Sequence, residues 1–491
     1  MNQQDGGYEV IVLGSGLGGL IAGTLLSLKN HSVLLLKEKK YQPSYVKDGY
    51  RFVPSSNFSE KYLTPALLQK LSQALSLPFF IHRREEEGQT KIVLKKPKGK
   101  VLFQVILPRA RIDLFCQRAL LQMEWKREFP KEVVKIGKFY EDINRIHHLF
   151  NQSKTKEDPL NVFPLRPHSL IKRWSLFRLL PKRGMEERLS PFSREFREFI
   201  KLQLISWGNL YLDQFPFSLA AYLLSTVESV EWISNGDLEK LKKDILKKFF
   251  QSGGRIEEID KVERVDRKWR KGFTLSLEGG QRVFRSKYLV LNSPLHRFSN
   301  LLGEKGKKLS MWAKRIQPRY VLLPLFLGIH EKVVPVGMKD LLVSVLDLGK
   351  TYERGNVLMI NLSPKGDEAE APEGRRALTV QSLMPLEEWN QASLVEHREG
   401  VMRHLNYLIP FLEKYIEFID FNWANEQVPC WSYPHFLYET TSDINWMKGV
   451  VPTRISKDLY FTGKENFPYL GMEGEVSGGW MVAQQILKKY D

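Results

Sequence analysis

The sequence predicts an α/β fold built on a parallel sheet, and three observations support this prediction. Glu9–Leu13 is an apolar run rich in β-branched residues, which is typical of a buried parallel strand. A glycine-rich turn and an apolar helical stretch come next, and Ser32–Leu36 is a second apolar strand. The chain has 491 residues, of which 43% are hydrophobic, so it can bury a large core in two or more lobes.

The turn after the first strand carries glycines at the spacing GxGxxG. Gly14 permits the tight turn, Gly16 lets the backbone approach a pyrophosphate, and Gly19 lets helix and strand pack closely. The N-terminus of the helix offers free N–H groups and the positive end of its dipole to the phosphates. Because a strand, a helix and a second strand surround these glycines, the context predicts a Rossmann-like dinucleotide site. Its predicted binding residues are Gly14, Ser15, Gly16, Leu17, Gly18 and Gly19.

The end of the second strand departs from this pattern. The fingerprint expects an acidic residue there, where it binds a ribose hydroxyl, but counting from the glycines places Lys37 at that position and Glu38 one residue later. Neighbouring side chains of a strand point to opposite faces. Glu38 can therefore serve only if the strand ends early or its register slips. Lys37 would either meet a phosphate or cap a solvated strand end.

Composition limits the partners and the location of the protein. The net charge of +18 favours anionic partners, such as a membrane surface, a nucleic acid or an acidic ligand. The lysines are spread along the chain without a nucleic-acid motif, so no nucleic-acid partner is expected. Cys116 and Cys430 are too few for a disulfide framework or a zinc site. The polar N-terminus and the lack of a bilayer-long apolar run predict a cytoplasmic protein, soluble or peripheral at the inner face of the membrane.

The middle of the chain reads as a hairpin followed mostly by helices. Lys91–Leu107 predicts a hairpin turning at 97–99, and Arg109–Phe150 and Glu195–Val230 are helical in pattern. His147 and His148 are adjacent and point to different faces of one helix, so they cannot form an i, i+4 metal pair.

The segment 165–190 changes character and admits two interpretations. Aromatic and aliphatic residues alternate with Lys and Arg over 169–183, which suits a segment lying on anionic lipid. Its periodicity is untidy, and a helix packed over the second lobe with a basic exposed side fits equally.

A second unit follows with helix and strand signals in a clear order. Asn235-Gly236-Asp237 opens a helix, Arg255–Asp266 reads as a strand, and a hairpin leads to the buried strand Tyr288–Leu291. Glu396–Phe418 is helical in pattern. Leu459–Thr462 is a last buried strand, followed by a glycine-rich turn and the helix Ser477–Lys488.

In this order the chain resembles the phytoene desaturase, carotenoid isomerase and retinol saturase group of FAD-dependent oxidoreductases, a branch of the amine-oxidase-like flavoproteins. The resemblance rests on GSGLGG, DGYRF, the unit from NGDLEKL to YLVLNSP, and LYFTGKENFPYLGMEGEVSGG. It implies a Rossmann-like FAD-binding domain with a parallel sheet, made of 1–80, 230–300 and 450–491. A mixed α+β substrate lobe, inserted discontinuously, would comprise 81–229 and 301–449.

The resemblance also assigns further cofactor-binding residues. The last motif looks like the family's LYxxGD…P…G…G…SG stretch, in which backbone and an acid hold the ribityl-phosphate of the flavin, and Pro468 and Tyr469 would pass close to the ring. The strand passing the adenine has its counterpart at Val262. With the strand-end pair, the expected cofactor contacts beyond the first turn are Lys37, Glu38, Val262, Gly463, Lys464, Glu465, Gly471, Met472 and Gly474.

Three departures from the family pattern all fall at flavin contacts. The strand-end acid is Lys37, the Asp of the C-terminal Gly-Asp is Lys464, and the Gly-Gly-Arg loop before DGYRF is missing. In two of these cases a Glu follows the Lys directly. Each lost carboxylate contact costs about 1–3 kcal/mol. The intact glycines at both ends of the chain still favour FAD as the leading cofactor. An NADP-type nucleotide or no cofactor are the alternatives.

The implied reaction is desaturation, isomerisation or saturation of carbon–carbon bonds in an apolar isoprenoid lipid. Aromatic residues of the second lobe either line a tunnel for such a substrate or are plain core: Trp207, Tyr211, Phe215, Phe217 and Tyr222. His296 and Arg297 follow a strand end, where a surface loop is the ordinary reading. The sequence indicates no catalytic base and leaves the oligomeric state open. The alternative function is a degenerate member that has lost its flavin and serves as a lipid-binding or partner protein.

Overall fold

The structure is a computed structural model of the chain. It describes residues 7–39, 45–52, 62–77, 79–80, 92–93, 101–153, 184–211, 216–226, 231–232, 235–268, 272–277, 282–292, 294–295, 298, 301–302, 307–421, 436–440 and 449–490. The predicted interfacial stretch 169–183, Phe215, His296 and Arg297 lie outside these residues.

Strands and helices alternate along the chain. In chain order the strands are β1 (Gly7–Leu13), β2 (Val33–Glu38), β3 (Tyr45–Lys47), β4 (Tyr50–Phe52), β5 (Tyr62–Leu63), β6 (Phe79–Phe80), β7 (Ile92–Val93), β8 (Val101–Leu107), β9 (Ala110–Phe115), β10 (Glu231–Trp232), β11 (Arg255–Ile259), β12 (Val262–Lys268), β13 (Gly272–Leu277), β14 (Arg282–Leu291), β15 (Ile316–His330), β16 (Leu341–Val345), β17 (Val357–Leu362), β18 (Arg375–Pro385), β19 (Ile416–Asp420), β20 (Phe436–Thr440) and β21 (Leu459–Phe461). The α-helices are α1 (Leu17–Ser27), α2 (Pro65–Leu75), α3 (Arg118–Glu128), α4 (Val133–Ser153), α5 (Met185–Leu189), α6 (Arg194–Trp207), α7 (Phe217–Thr226), α8 (Asn235–Gln251), α9 (Lys307–Ala313), α10 (Gln391–Leu408) and α11 (Met472–Leu487).

The first sheet has the order β11-β2-β1-β14-β13-β12, and β21 also pairs with β14. Five strands of this sheet run parallel to one another: β11, β2, β1, β14 and β21. This agrees with the parallel sheet predicted from the apolar runs. The edge of β14 that faces away from β1 is divided: Arg282–Ser286 pairs with β13, and Leu289–Leu291 pairs with β21. The α/β prediction is confirmed, and the glycine turn lies at the carboxyl end of this parallel sheet.

The two faces of the first sheet belong to two different cores. Val10 and Val12 pack with helices α1, α2, α8 and α11 on one face. Ile11 and Leu13 point to the opposite face, as successive strand residues must, and join the large core that continues into the second lobe. Strands buried on both faces read as continuous apolar runs, which explains the sequence of β1.

The second sheet has the order β19-β15-β18-β17-β16-β8-β9, and β20 also pairs with β15. Its neighbours are antiparallel except β8 and β16, which are parallel. The long strand β15 pairs with β18 from Tyr320 to His330, while β19 and β20 share its other edge. Helices α4, α6 and α7 cover this sheet with buried aromatic side chains such as Phe139, Phe196 and Phe199.

Two predicted elements of the second lobe are wrong in part. Ile92–Val93 pairs with β6 and β8 pairs with β9 through a turn at Pro108 and Arg109, while the predicted turn at 97–99 lies outside the described residues. The helical interpretation of Arg109–Phe150 does not include β9. Ile112 and Leu114 of β9 are buried while Arg111 is exposed, an alternation of period two that predicts a strand. The helices α3 and α4 occupy the rest of that stretch.

Other boundaries shift for identifiable reasons. Arg255–Asp266 divides into β11 and β12, and only β11 joins β2. The helix expected over Glu396–Phe418 ends at Leu408, since Pro410 cannot continue it, and β19 follows. None of the described helices combines the length and apolarity needed to cross a membrane.

Helix α10 buries two histidines against the second sheet. His397 Nε2 lies 2.6 Å from Ser382 Oγ, and His404 Nε2 lies 2.9 Å from Ser344 Oγ. His404 Nδ1 donates to the Gly355 carbonyl at 2.9 Å. Burial disfavours the imidazolium form and lowers the pKa of both histidines from 6.5 to about 4.

The stability of the fold should therefore fall in mild acid. Between pH 6.5 and 4 the unfolded chain binds protons that the buried imidazoles do not, so the free energy of unfolding decreases as the pH falls. Each histidine contributes up to about 1.4 kcal/mol per pH unit in this interval. Urea unfolding at pH 7 and pH 5 measures the slope, which His397→Gln should make shallower.

The matched control is His148→Gln, which changes an exposed histidine of α4 and should leave the slope unchanged. Equal slopes in the wild type and His397→Gln would contradict the assignment of acid sensitivity to this pair.

Candidate functional site

The first and last helices of the chain cross in backbone contact at the carboxyl edge of the parallel sheet. A Cβ atom on Gly479 of α11 would lie 2.2 Å from the Gly18 carbonyl oxygen of α1. One on Gly18 would lie 2.5 Å from Thr462 Oγ1 and 2.8 Å from the Glu475 carbonyl oxygen. Only glycine fits at these two positions, where the first turn of α1 meets the middle of α11.

Both N-termini lack a side-chain cap. α1 begins after Gly16 and α11 begins after Gly471, and neither residue has a side chain that could accept from the first N–H groups. The first turn of a helix leaves these donors without an intrahelical partner. Two uncapped helix ends at one sheet edge form an arrangement that binds an anion. Glu473 and Glu475 in the first turn of α11 offset part of the positive field at that end.

The turn itself is held by Asn292 at the end of β14. Gly14 has φ +112°, and a Cβ there would lie 1.8 Å from the Asn292 carbonyl oxygen, so glycine is required twice over. The Asn292 backbone N–H donates to the Leu13 carbonyl at 2.7 Å, and its Nδ2 donates to the Thr462 carbonyl at 2.7 Å. Asn292 therefore ties together the ends of β1, β14 and β21.

Three buried polar atoms near this edge are unpartnered. Asn292 Oδ1, Thr462 Oγ1 and Ser477 Oγ have no hydrogen-bond partner among the described residues. Buried polar groups are normally paired, so such a group of atoms marks a place completed by a ligand or water. Together with the two uncapped helices, they fit the dinucleotide that the glycine spacing predicts. Sequence reasoning singled out neither Asn292 nor Ser477, because their role depends on strands and helices distant in sequence.

The strand-end position that lacks an acid is occupied by an ion pair. β2 continues in register through Glu38, so neither an early end nor a slip of the strand moves Glu38 to that position. Lys37 Nζ lies 2.7 Å from Glu258 Oε1 on the neighbouring strand β11. The Lys37 hydrogen bond lowers the pKa of the exposed Glu258 carboxyl. Lys37 is thus neutralised by an acid 221 residues away in sequence.

Val262 is brought to the same end of the sheet by a short turn. Ile259 of β11 pairs with Glu38, and Val262 begins β12 three residues later. The Lys39 N–H donates to the Ile259 carbonyl at 2.9 Å, and Lys39 Nζ lies 3.2 Å from Asp260 Oδ1 within this turn. Val262 is buried.

The C-terminal motif is held by side chains that sequence reasoning left out. Asn466 is fully buried, accepts from the Gly463 N–H at 2.8 Å and donates to the Val451 carbonyl at 2.8 Å. An Asx turn would accept from an N–H two residues later, whereas Asn466 accepts from one three residues earlier, so this turn has no such local signal in the sequence. Gly474 is also restricted, since a Cβ there would lie 2.6 Å from the Phe467 carbonyl oxygen. Gly471 and Met472 begin α11 beside them.

Glu465 is buried at the junction with the second lobe. Its Oε1 accepts from the Leu295 N–H at 2.9 Å, and its carboxyl hydrogen-bonds the Tyr438 side chain. Burial raises the pKa of Glu465, while the Leu295 N–H opposes the rise. Lys464, its neighbour, is half-exposed. The Glu465 carboxyl therefore points into the protein, while the neighbouring Lys464 lies nearer the surface.

The residues predicted to line a tunnel or to form plain core differ in burial. Trp207, Phe217 and Tyr222 are buried in the core of the second lobe. Tyr211 is half-buried and lies against Tyr320, with ring centroids 4.9 Å apart. Its backbone N–H donates to the Tyr438 carbonyl at 2.8 Å, which connects it to the strand behind Glu465.

Known proteins match both the sequence and the fold. The sequence profile of the flavin containing amine oxidoreductase family matches residues 144–487. Chloroplastic prolycopene isomerase of Arabidopsis thaliana is 25% identical over 407 residues, which cover 79% of this chain and 66% of that protein. The enzyme of the same name from Daucus carota is 24% identical over 429 residues, covering 83% and 66%. The matches thus span just under two thirds of the length of these relatives.

Solved structures share the fold at low sequence identity. A redesigned putrescine oxidase superposes with a TM-score of 0.63 at 14% identity, covering 98% of this chain and 99% of that one. Cyclohexylamine oxidase from Brevibacterium oxydans superposes with a TM-score of 0.54 at 13% identity, covering 98% and 99%. FAD is the cofactor of these flavoproteins, in agreement with the cofactor expected from the sequence.

The helix crossing should be intolerant of a single methyl group. Gly479→Ala is expected to lower the free energy of unfolding by about 1–3 kcal/mol, because the new Cβ would overlap the Gly18 carbonyl. Chemical denaturation of the purified protein measures this change.

Gly137→Ala is the matched control. Gly137 lies in helix α4 and a Cβ there meets no atom within 4 Å, so helix propensity alone should stabilise this variant by up to about 1 kcal/mol. Equal effects of the two substitutions would show that the crossing has room for a side chain.

Proposed function

The chain belongs to the flavin-containing amine oxidoreductase family, and we propose that it is an FAD-dependent oxidoreductase acting on carbon–carbon bonds of an apolar, isoprenoid or carotenoid-like lipid. The reaction is a desaturation, an isomerisation or a saturation. The observation that carries the cofactor assignment is the pair of uncapped helix N-termini joined through Gly18 and Gly479 beside three unpartnered polar atoms.

The chain's own residues have distinct tasks in this proposal. Backbone N–H groups after Gly16 would hold the pyrophosphate, and Val262 would lie against the adenine. The segment from Gly463 to Gly474 would hold the ribityl chain and the ring. FAD supplies the hydride and electron chemistry when bound. Tyr469 and Met472 are buried and exclude water from that side. Glu465, whose pKa burial raises, keeps a proton to higher pH than an ordinary carboxyl.

The substrate class rests on the prolycopene isomerases, whose name denotes an isomerase of a carotenoid. Structural likeness to putrescine oxidase and cyclohexylamine oxidase, at 13–14% identity, supports the fold and not an amine substrate.

A second candidate function has a specific observation in its favour. Lys37 stands where the family has an acid, and its ammonium group, paired with Glu258, cannot accept a hydrogen bond from a ribose hydroxyl. A chain that has lost this contact and the Gly-Gly-Arg loop could retain the fold as a lipid-binding or partner protein without flavin. Peripheral attachment to an anionic membrane through 169–183 and a cytoplasmic location are part of either proposal.

The function is tested with the purified protein after incubation with FAD and removal of free cofactor. Flavin absorption bands that stay with the protein through desalting are expected, together with conversion of a poly-cis acyclic carotene to isomerised, desaturated or saturated products, read by chromatography. A flavin-loaded protein that consumes putrescine instead would overturn the lipid assignment. A protein that retains no flavin supports the second candidate.

Gly16→Glu should abolish flavin retention, because its carboxylate would fill the pyrophosphate space and add negative charge. Gly137→Glu, at an open position of helix α4, is the control and should retain flavin. Loss of flavin in both variants would remove the assignment of the N-terminal turn.

The cation at the strand end gives a sharper prediction. Exchanging the ion pair by Lys37→Glu with Glu258→Lys keeps the pair and restores the acid at the ribose position. One hydrogen bond to a charged group is worth about 1.5–3 kcal/mol, so FAD should bind about tenfold tighter or more. Fluorescence titration with FAD measures the change.

The adjacent ion pair provides a control of the same kind. Lys39→Glu with Asp260→Lys reverses the next pair along the strand end and should leave the FAD affinity within about twofold of wild type. If both exchanges change the FAD affinity equally, the effect comes from the general electrostatic potential at this end of the sheet. Lys37 then does not occupy the ribose position.

A further inference from the structure

A polar cavity of about 300 Å³ lies in the second lobe, apart from the edge of the parallel sheet. Helix α6 forms one wall and the loop between β16 and β17 forms the other. Its charged and aromatic lining consists of Arg194, Arg197, Glu198, Lys201, Tyr211 and Tyr352. The volume is at the lower end of the range of small-molecule sites.

The helical wall presents a row of cations. Arg194, Arg197 and Lys201 are spaced i, i+3 and i+7, so they lie on one face of α6. Lys201 is paired with Glu186 at 2.8 Å, and Arg194 donates to the Leu348 carbonyl. Glu198 is the carboxylate among the lining residues of this cavity, on the same face of α6 as the cations.

The opposite wall is fixed before any ligand arrives. Asn356 is buried and bonds three times to the loop, accepting from the Asp347 N–H at 2.9 Å and donating to the Asp347 and Thr351 carbonyls at 2.9 and 2.7 Å. Gly355 packs on helix α10, where a Cβ would lie 2.4 Å from the backbone of Gly400. The cavity is therefore preformed, which reduces the entropic cost of binding.

Two polar atoms of the lining are buried without a hydrogen-bond partner among the described residues. Arg197 Nε and Glu198 Oε1 have no hydrogen-bond partner among the residues that the structure describes. Burial raises the pKa of Glu198, and Tyr352, Lys201 and Arg194 act against that rise. A buried donor on a cation and a buried acceptor on a carboxylate, one residue apart, call for a ligand with complementary groups.

We propose that this cavity binds a small molecule that carries an oxyanion next to a hydrogen-bond donor. Arg197, with Arg194, holds the oxyanion, and Glu198 accepts from the adjacent O–H or N–H. The guanidinium fork suits phosphate and carboxylate equally, so the shared chemistry is the oxyanion together with its donor. This site is independent of the flavin site and goes beyond the proposed function.

Two pairs of probes separate these features. Monohydrogen phosphate carries an O–H that sulfate lacks, and lactate carries an O–H that acetate lacks. Isothermal titration of the full chain in chloride buffer should show saturable binding of phosphate or lactate, at least about tenfold tighter than its partner without the donor. The pair that shows this preference identifies the oxyanion as phosphate or carboxylate.

Variants test each residue. Arg197→Gln should weaken the preferred probe by about tenfold or more, and the more exposed Arg194→Gln should weaken it less. In Glu198→Ala the two probes of the preferred pair should bind with affinities that differ by no more than about twofold. Arg403→Gln, which removes an exposed arginine of helix α10, is the control and should bind as wild type does.

Three results would overturn the proposal: no saturable binding of any of the four probes, unchanged binding in both arginine variants, or equal weakening in Arg403→Gln. Circular dichroism of each variant confirms that it is folded, and the exposed Arg194 provides a test that does not depend on a buried substitution. Because flavin content is measured separately, failure here leaves the proposed function untouched.

Discussion

The contact between Gly18 and Gly479 is the constraint on which the carboxyl edge of the parallel sheet, with its glycine turn, depends. It lets α1 and α11 approach until a Cβ of one would overlap the backbone of the other. α1 follows β1 after a three-residue turn and α11 follows β21 after a ten-residue loop, so the crossing fixes how these two helices pack beside the parallel sheet. Asn292 completes the arrangement by joining β1, β14 and β21 at their carboxyl ends. Anion recognition here is thus a property of backbone placed by small residues, more than of any charged side chain.

Local pattern was sufficient to predict the strand, glycine turn and helix at the start of the chain. The strand, the glycine turn and helix α1 are contiguous, so each residue's burial and spacing could be interpreted without the rest of the chain. The same holds for helix α8, whose start at Asn235-Gly236-Asp237 is a local signal. Period-two alternation around Ile112 was overlooked because a longer helical pattern followed it directly.

The features that sequence reasoning missed depend on distant partners. The Lys37–Glu258 pair, the Asn292–Thr462 bond and the Glu465–Leu295 bond each join residues 170 to 221 positions apart. A lysine at an acidic position reads as a defect in the sequence alone. In the structure it belongs to an ion pair between two neighbouring parallel strands. The polar cavity of the second lobe has the same character, since its two walls come from α6 and from a loop some 150 residues later.

The separation of Gly18 from Gly479 has a consequence for how the protein is made. β1, β2 and α1 leave the ribosome early, whereas β21 and α11 are translated more than 400 residues later. At about 5–20 residues per second, that interval lasts from roughly 20 to 90 seconds. Throughout it, α1 lacks α11, which packs against it, and β14 lacks part of its partner edge from the time that it is translated until β21 follows. Such exposed surface and open strand edges invite aggregation, so the nascent chain is a natural client of chaperones.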